Sequence, residues 1–339
     1  MSRTAAHINH LRVIAAAIAI AIIAIAAPAA YGQTDAQFSQ YFEVPNMYNP
    51  SAIGTTDFVK IRAGGKMEWI GIDHAPVTFT LMADMPLKLF NKRFGVGLLA
   101  TTETIGLYSS LQVGADLAYK IKKWNGEFSF GVQLGIYDQK FSGSQIFIPA
   151  EDDYHQTTDE GIPQRDVHGT AFDMSAGVWY MHKSQRFWGG LSCTHLTSPT
   201  ITMKSEGSES TTADQNYEFQ ANRTLYFMGG CNIPIKNTLF ELLPSILVKS
   251  DFTFTTGEVD LRARYNKMFS LGVGYRYKTA IIATLGVEIK NFYIGYAFDY
   301  STSAIAKTTA GSHEVFLGYS LKLDLSDKNK NKHKSIRIM

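Results

Sequence analysis

Only two cysteines, Cys193 and Cys231, stand in 339 residues, too few to staple a disulfide-built scaffold, so the chain must hold itself together by other means. Charge is nearly balanced as well: 32 basic against 30 acidic residues leave a formal +2, which removes the broad electrostatic footprint of a nucleic-acid binder. Beyond the N-terminal leader, no run of about 18 apolar residues occurs, so no helix is available to span a membrane. The motifs GxSxG and HExxH and a spaced EF-hand loop are all missing. No nucleophile is paired with a base by any motif, and His74, His155, His168, His182, His195 and His313 show no metal-ligand spacing. The acidic triplet Glu151, Asp152 and Asp153 reads as solvated surface. These absences together point to a protein that is not an enzyme and holds neither metal nor cofactor.

What is present begins with an export signal. MSRTAAHINHLR carries Arg3 and Arg12 ahead of the apolar VIAAAIAIAIIAIAAPAA, which ends at the small-residue site Ala30-Tyr31-Gly32. This is the layout of a secretory signal peptide over residues 1–32, with Gln33 as the mature start. An N-terminal membrane anchor fits less well, because the apolar run gives way at once to a cleavage site. No cysteine lies near that site, which argues against a lipid anchor.

From about residue 57 onward the apolar period is two nearly everywhere. In SLQVGADLAYKI, Leu111, Val113, Ala115, Leu117, Tyr119 and Ile121 form one set, against Gln112, Gly114, Asp116, Ala118 and Lys120. EFSFGVQLGIY, NFYIGYAFDY, SLGVGYRYK and VFLGYSLKLDL repeat the pattern. Alternation alone suits a soluble sandwich as well as a membrane barrel. Three features favour the barrel. The segments often reach about ten residues, where soluble strands average five or six. Their polar set is rich in Gly with scattered charges, and Tyr119, Trp124, Trp179, Tyr180, Tyr296 and Tyr300 cluster near segment ends, as aromatic girdles do.

Turn signals divide the chain into about fourteen strands, beginning near Phe58, Pro76, Arg93, Leu107, Glu127, Val167, Arg186, Thr224, Thr238, Glu258, Lys267, Ala280, Asn291 and Glu314. The even-numbered connections (KLFNK, KKWNG, HKSQ, PIKN, YNK, KN) are short and basic, whereas the two long connections, with most of the loop acids, are odd-numbered. Short periplasmic turns and long outer loops are the outer-membrane rule. The expected fold is therefore all-β: a transmembrane antiparallel β-barrel over residues 57–325, a periplasmic N-terminal segment over 33–56, and a short basic C-terminal tail over 326–339, with both termini periplasmic. The basic rim could meet anionic head groups, cell-wall acids or an acidic partner, or be no more than solvated lysines.

The segment QFSQYFEVPNMYNPSAIGT, followed by KMEWIGIDHAPVTFTLMADMPL, resembles the N-terminal signature of the PorP/SprF family of type IX secretion and gliding outer-membrane proteins. The matching residues are Gln37, Phe38, Ser39, Gln40, Tyr41, Pro45, Tyr48, Asn49, Pro50 and Gly54, then Trp69, Gly71, Pro76, Thr78 and Pro86. RFGVGLLATTETIG and SHEVFLGYSLKL look like the family's second hairpin and last strand. Ser51, Glu68 and His74 depart from the residues usual in the family, and the basic tail runs past the expected last strand. The resemblance implies a non-catalytic outer-membrane barrel that assists export or surface attachment of cargo proteins. It would work beside periplasmic ring and motor proteins and would not itself conduct cargo. A passive porin or substrate channel is the alternative, with Gly114, Asp116, Gln133, Arg276, Asp299 and Lys322 as lumen candidates.

The candidate site residues are Phe38, Gln40, Tyr41, Pro45, Tyr48, Asn49 and Pro50, which either dock a partner or tuck into the barrel mouth and fix the first strand. Trp69, Gly71 and Pro76 surround the first outer turn, as a lip for cargo or, for Trp69, as a girdle residue. Cys193 and Cys231 would face each other as a possible disulfide if the strands flanking the second long loop pair near Arg186 and Lys236.

Overall fold

The computed structural model describes residues 35–146, 163, 165–205 and 217–323. The proposed signal peptide, the acidic residues 151–160 and the basic tail lie outside them. Seventeen strands are present among the described residues: β1 (Phe58–Met67), β2 (Val77–Leu89), β3 (Lys92–Ile105), β4 (Tyr108–Lys123), β5 (Gly126–Ser142), β6 (Asp166–His182), β7 (Phe187–Thr194), β8 (Thr200–Ser205), β9 (Tyr217–Gln220), β10 (Thr224–Cys231), β11 (Ile233–Pro234), β12 (Phe240–Ser250), β13 (Thr255–Tyr265), β14 (Phe269–Arg276), β15 (Ala280–Ile289), β16 (Phe292–Ser301) and β17 (Ser312–Lys322).

Fourteen of these close a ring. Each of β1 to β6 pairs antiparallel with the next, β7 pairs with β10, β10 with β12, and the run from β12 to β17 returns to β1. Closure leaves no free edge, which lets a sheet sit in lipid with its backbone groups paired. Leu98, Leu117, Leu134, Leu191, Val273 and Ile294 point outward and are exposed, the reverse of a soluble core. Aromatics ring both ends of this apolar face. Phe90, Trp124, Phe187 and Phe292 stand at the end bearing Phe58 and Lys322, and Phe252 and Tyr300 at the other. No helix among the described residues is long and apolar enough to cross a membrane. The protein is an outer-membrane-type β-barrel.

The connections sort by end. The end that holds the start of β1 and the finish of β17 carries only short connections, including Phe90-Asn91 and Trp124-Asn125 with positive φ at both positions. Such left-handed pairs match the twist of the strands they join. The opposite end carries both long connections. The β1–β2 loop at that end holds His74 at φ +57°, a left-handed position that favours glycine and accounts for its standing out as a departure.

β5 and β6, at 17 residues each, have a contour of roughly 56 Å at about 3.3 Å per residue. At a tilt near 45° they still rise about 40 Å, beyond an apolar band of roughly 25 Å. Their upper ends therefore stand clear of the lipid, and the hairpin β8–β9 folds inward against them. Ile201 and Met203 pack on Phe141 and Val167 there, with Phe219 stacked on Tyr137 at 6.2 Å. The expected cysteine pair does not form. Cys193 lies opposite Leu225 and Cys231 opposite Phe187, and both thiols are free. Residues 232–239, with the two-residue β11, form a longer turn than the sequence suggests. That turn slides the register, and six residues along β10 separate the cysteines by about 20 Å.

Candidate functional site

The barrel has little core without its N-terminal segment. Residues 35–54 enter the lumen and run its length: Asp35 meets Thr194, His195, Tyr226 and Lys249 at the long-loop end. Gly54 packs on Met85, Pro86 and Gly95 toward the short-turn end. The expectation of a segment confined to one mouth is therefore corrected. The strand ends Phe58 and Lys322 do share an end, but the segment crosses the lumen and brings Asp35 to the opposite one.

Local chemistry explains the shape of the segment. Pro45 opens a single helical turn, Pro45–Tyr48, and Pro50 opens a 3-10 turn, Pro50–Ala52, each at a position whose N–H would be unpaired anyway. Asn49 caps the second by accepting from the Ser51 N–H at 3.0 Å. These short turns place Phe38, Tyr41, Val44 and Tyr48, all 0–1% exposed, into one cluster with Met82, Leu99, Trp179, Tyr226, Met228, Leu247, Tyr293 and Phe316 from the wall. Phe38 meets Phe316 edge-on at 5.1 Å and Tyr48 meets Tyr226 at 5.4 Å, favourable aromatic geometries. Each fully buried ring is worth roughly 2 kcal/mol in apolar area.

The wall supplies sockets. A side chain at Gly95, Gly131, Gly177, Gly190 or Gly295 would collide with Ile53, Ser51, Asn49, Asn49 and Gln40 respectively. Between Gly177 and Gly190, the Asn49 amide donates to the carbonyls of Val178 and Leu191, each at 3.2 Å. The glycines of the inward set thus make room for the backbone of Ile53 and Ser51 and for the side-chain amides of Asn49 and Gln40.

Polar pairing is dense at the upper part of the segment. Glu314 accepts the N–H groups of Ser39 and Gln40 at 2.6 and 2.8 Å. The Ser39 hydroxyl donates to Asp299 at 2.6 Å and accepts from Arg276 at 2.8 Å. Arg276 also donates to Glu258 at 2.6 Å and to Asp299 at 3.0 Å, while Lys66 donates to the Gln37 carbonyl and lies 3.2 Å from Asp299. Buried charges are tolerable only when paired and hydrogen-bonded in this way. Lower down, Arg62 binds Glu43 at 3.1 Å, the Arg262 guanidinium covers the Phe42 ring, and Asn46 donates to Asp116. Asp35 closes the top. Its carboxylate faces His195 Nε2 at 3.3 Å, and His195 Nδ1 lies 2.7 Å from Asp173. Burial would lower the imidazole, yet Asp35 and Asp173 outweigh it and push it up to about 10. Burial would raise Asp35, and His195 and Lys249 instead hold it well below the carboxylate range.

Seven of the ten expected site residues, Phe38, Gln40, Tyr41, Pro45, Tyr48, Asn49 and Pro50, are therefore brought together inside the lumen. Trp69, Gly71 and Pro76 are elsewhere, in the β1–β2 loop. Trp69 is half-buried, its backbone N–H donates to the Ser312 hydroxyl, and it lines with Pro76 and Asp35 a cavity of about 310 Å³. That position is inside the mouth, so the girdle reading of Trp69 is corrected; Gly71 is exposed at φ +98°. Sequence reasoning missed Lys66, Glu258 and Glu314, although each is a charge at inward parity, and it named Arg276 and Asp299 only as pore lining.

Residues 30–319 match the family described as Type IX secretion system membrane protein PorP/SprF. The chain belongs to the PorP/SprF family. The match takes in the luminal segment and nearly all of the barrel, so the segment is part of what makes this a PorP/SprF protein. No curated protein matches the chain. Among solved structures it is similar to the toluene transporter TbuX of Ralstonia pickettii, at 12% identity over 83% of this chain and 94% of that one, with a TM-score of 0.48. A FadL homologue of Pseudomonas aeruginosa matches at 10% identity over 81% and 93%, with a TM-score of 0.47. The translocator domain of the autotransporter NalP from Neisseria meningitidis matches at 12% over 78% and 88%, with a TM-score of 0.41. These are likenesses between barrels and carry nothing about ligand or partner.

Proposed function

We propose that this PorP/SprF protein is a non-catalytic outer-membrane barrel, sealed by its own N-terminal segment, that assists export or surface attachment of type IX cargo. Its rims dock cargo and the periplasmic ring and motor proteins, and its lumen conducts neither. The observation that carries the reading is the seated segment: a passage for protein would have to expel Phe38, Tyr41 and Tyr48 from a buried cluster and break the Glu314 and Asp299 contacts. The same observation speaks against a passive porin, which needs a wet lumen. His195, the buried histidine among the described residues, has a carboxylate within 3.3 Å of each ring nitrogen, leaving none to activate a nucleophile. Planar-bilayer recording of the purified barrel should give no stable conductance, and crosslinked pull-down from outer membranes should recover type IX ring, motor or cargo proteins. A large, steady conductance together with no such partners would reverse the reading in favour of the porin.

A further inference from the structure

At the long-loop end the hairpin β8–β9 and the wall of β3 to β5 enclose a cavity of about 240 Å³, with Asp35 from the top of the segment in its lining. Glu103, Ser110 and Gln139 face it from three adjacent strands and stand directly opposite one another in register. At a strand spacing of about 4.8 Å they form one polar row roughly 10 Å long. Gly169 continues the row on β6. A β-carbon there would meet the Thr202 carbonyl at 2.4 Å, so its missing side chain lets β8 press against the wall. The hairpin in turn presents Glu218 and Gln220 to the cavity, with Phe219 stacked on Tyr137.

Asp35, Glu103 and Glu218 bring carboxylates to this lining, and none of the described residues that line it is a lysine, arginine or histidine. Asp35 is already engaged by His195 and Tyr226. The carboxylates of Glu103 and Glu218 make no ion pair or hydrogen bond among the described residues. Glu103 feels the like charges of Glu68 and Asp35 more strongly than the cations Lys249 and Lys66. Both cations are held elsewhere, Lys249 on the Asp35 carbonyl and Lys66 among the Gln37 carbonyl, Glu68 and Asp299. Gln139 is an independent sign of a guest: its side chain is 2% exposed, lines the cavity and makes no hydrogen bond among the described residues. A buried amide in that state is costly unless something meets it. Water satisfies the amide but supplies no counter-charge to Glu103. Nor do the long connections supply one, since residues 147–162 and 206–216 contain no lysine or arginine, and His155 is their one histidine.

We infer that this cavity receives the guanidinium of an arginine side chain presented by a polypeptide at the long-loop end. A guanidinium carries donors only, in a planar fork, and the row offers it acceptors in the Glu103 carboxylate, the Ser110 hydroxyl and the Gln139 carbonyl oxygen. Its flat face suits the rings of Tyr108 and Tyr137, which line the same cavity. Volume sets the size of the guest. Pockets for drug-sized ligands run from about 300 to 1,000 Å³, so about 240 Å³ takes the head of one side chain rather than a larger molecule. A lysine ammonium is a compact point charge with no planar face, which makes arginine the better fit. The inference rests on the docking reading above and gives the cargo-facing rim a chemistry.

The test uses the full-length barrel in detergent micelles and the end-blocked peptide Gly-Arg-Gly, titrated by calorimetry, with a citrulline peptide as its neutral counterpart and a lysine peptide as the point charge. The arginine peptide should bind more tightly than the lysine peptide, with an affinity that falls from about 50 to about 300 mM salt, and the citrulline peptide should not bind. Glu103→Gln should weaken binding about tenfold or more, and Gln139→Leu and the exposed Glu218→Gln by less. Each variant should keep its heat-modifiable migration and the hydrogen-exchange protection of residues 35–41. The inference is overturned if the arginine peptide does not bind, if the citrulline peptide binds as well, if free arginine binds and the peptide does not, or if Glu103→Gln and Glu218→Gln together leave binding unchanged in a folded barrel. Binding of the arginine peptide with no type IX partner in the pull-down would support the site and sink the docking reading, and recovered partners without peptide binding would do the reverse.

Discussion

Gly131→Ala should unseat the luminal segment from a distance of one methyl group. A β-carbon at Gly131 would sit 2.5 Å from the backbone N and Cα of Ser51 and 2.6 Å from the carbonyl of Pro50. Ordinary contact begins near 3.5 Å, so Ser51 must retreat by about 1 Å. Asn49, two residues away, already bonds Val178 and Leu191 at 3.2 Å, and the same retreat takes both bonds past useful length. Two lost bonds at about 1 kcal/mol each, with about 1 kcal/mol of overpacking, come to about 3 kcal/mol. That corresponds to roughly 100-fold more frequent local opening. Hydrogen exchange by mass spectrometry on residues 46–54 reads it directly. Gly229→Ala is the control, because its β-carbon would meet nothing nearer than 3.5 Å. If exchange in Gly131→Ala stays within threefold of the parent while heat-modifiable migration is unchanged, the socket argument fails.

Three further outcomes follow from the same geometry. Glu314→Ala leaves the buried N–H groups of Ser39 and Gln40 without their acceptor, costing about 2–6 kcal/mol; exchange at residues 37–41 should accelerate strongly, and unchanged protection would refute the capping role. His195 is pushed from an ordinary 6.5 up to about 10, so its grip on Asp35 is whole below about pH 6.5 and is lost as pH rises through 10. Asp35 is depressed instead, so its share is present above about pH 4 and lost on acidification. Protection at residues 35–37 should therefore peak between those limits, and a flat profile to pH 10.5, or one matched by His195→Gln, would contradict the latch. Cys193 and Cys231 should each take one thiol label in unfolded, unreduced protein, and a 2 Da shift on reduction would show the register to be wrong.

The wall was legible in the sequence because a membrane barrel advertises its outer face. Every barrel strand begins within about three residues of the place the alternation and turn signals assign, and the sorting of short and long connections follows. The luminal segment was legible as a signature but not as a location. It has no period, and its anchoring contacts reach residues such as Asp116, Val178, Glu258 and Glu314, far along the chain. A signal did exist in the inward set, which held Met82, Leu99, Tyr226, Leu247 and Phe316 where a wet pore would want polar side chains. Phe316 in VFLGYSLKLDL opposes the apolar set, and its ring lies over Gly64 to reach Phe38. The inward charges Lys66, Asp84, Glu258 and Glu314 were likewise readable as parity, but not as partners of a segment that precedes the first strand. The cysteine register failed for a local reason: turn length at residues 232–239 leaves little mark on hydrophobic periodicity.

Glu314 belongs to β17, the last strand, and its acceptors serve the first described residues of the chain. Beginning and end are therefore checked against each other. A polypeptide stopped before Ser312 would lack both the strand that meets β1 and the carboxylate that receives Ser39 and Gln40. Closing the wall and seating the segment become a single act, one that an unfinished chain cannot perform. The seat of the segment is thus complete only where β17 is in place, so the barrel's last closing strand and the filling of its lumen share one set of residues.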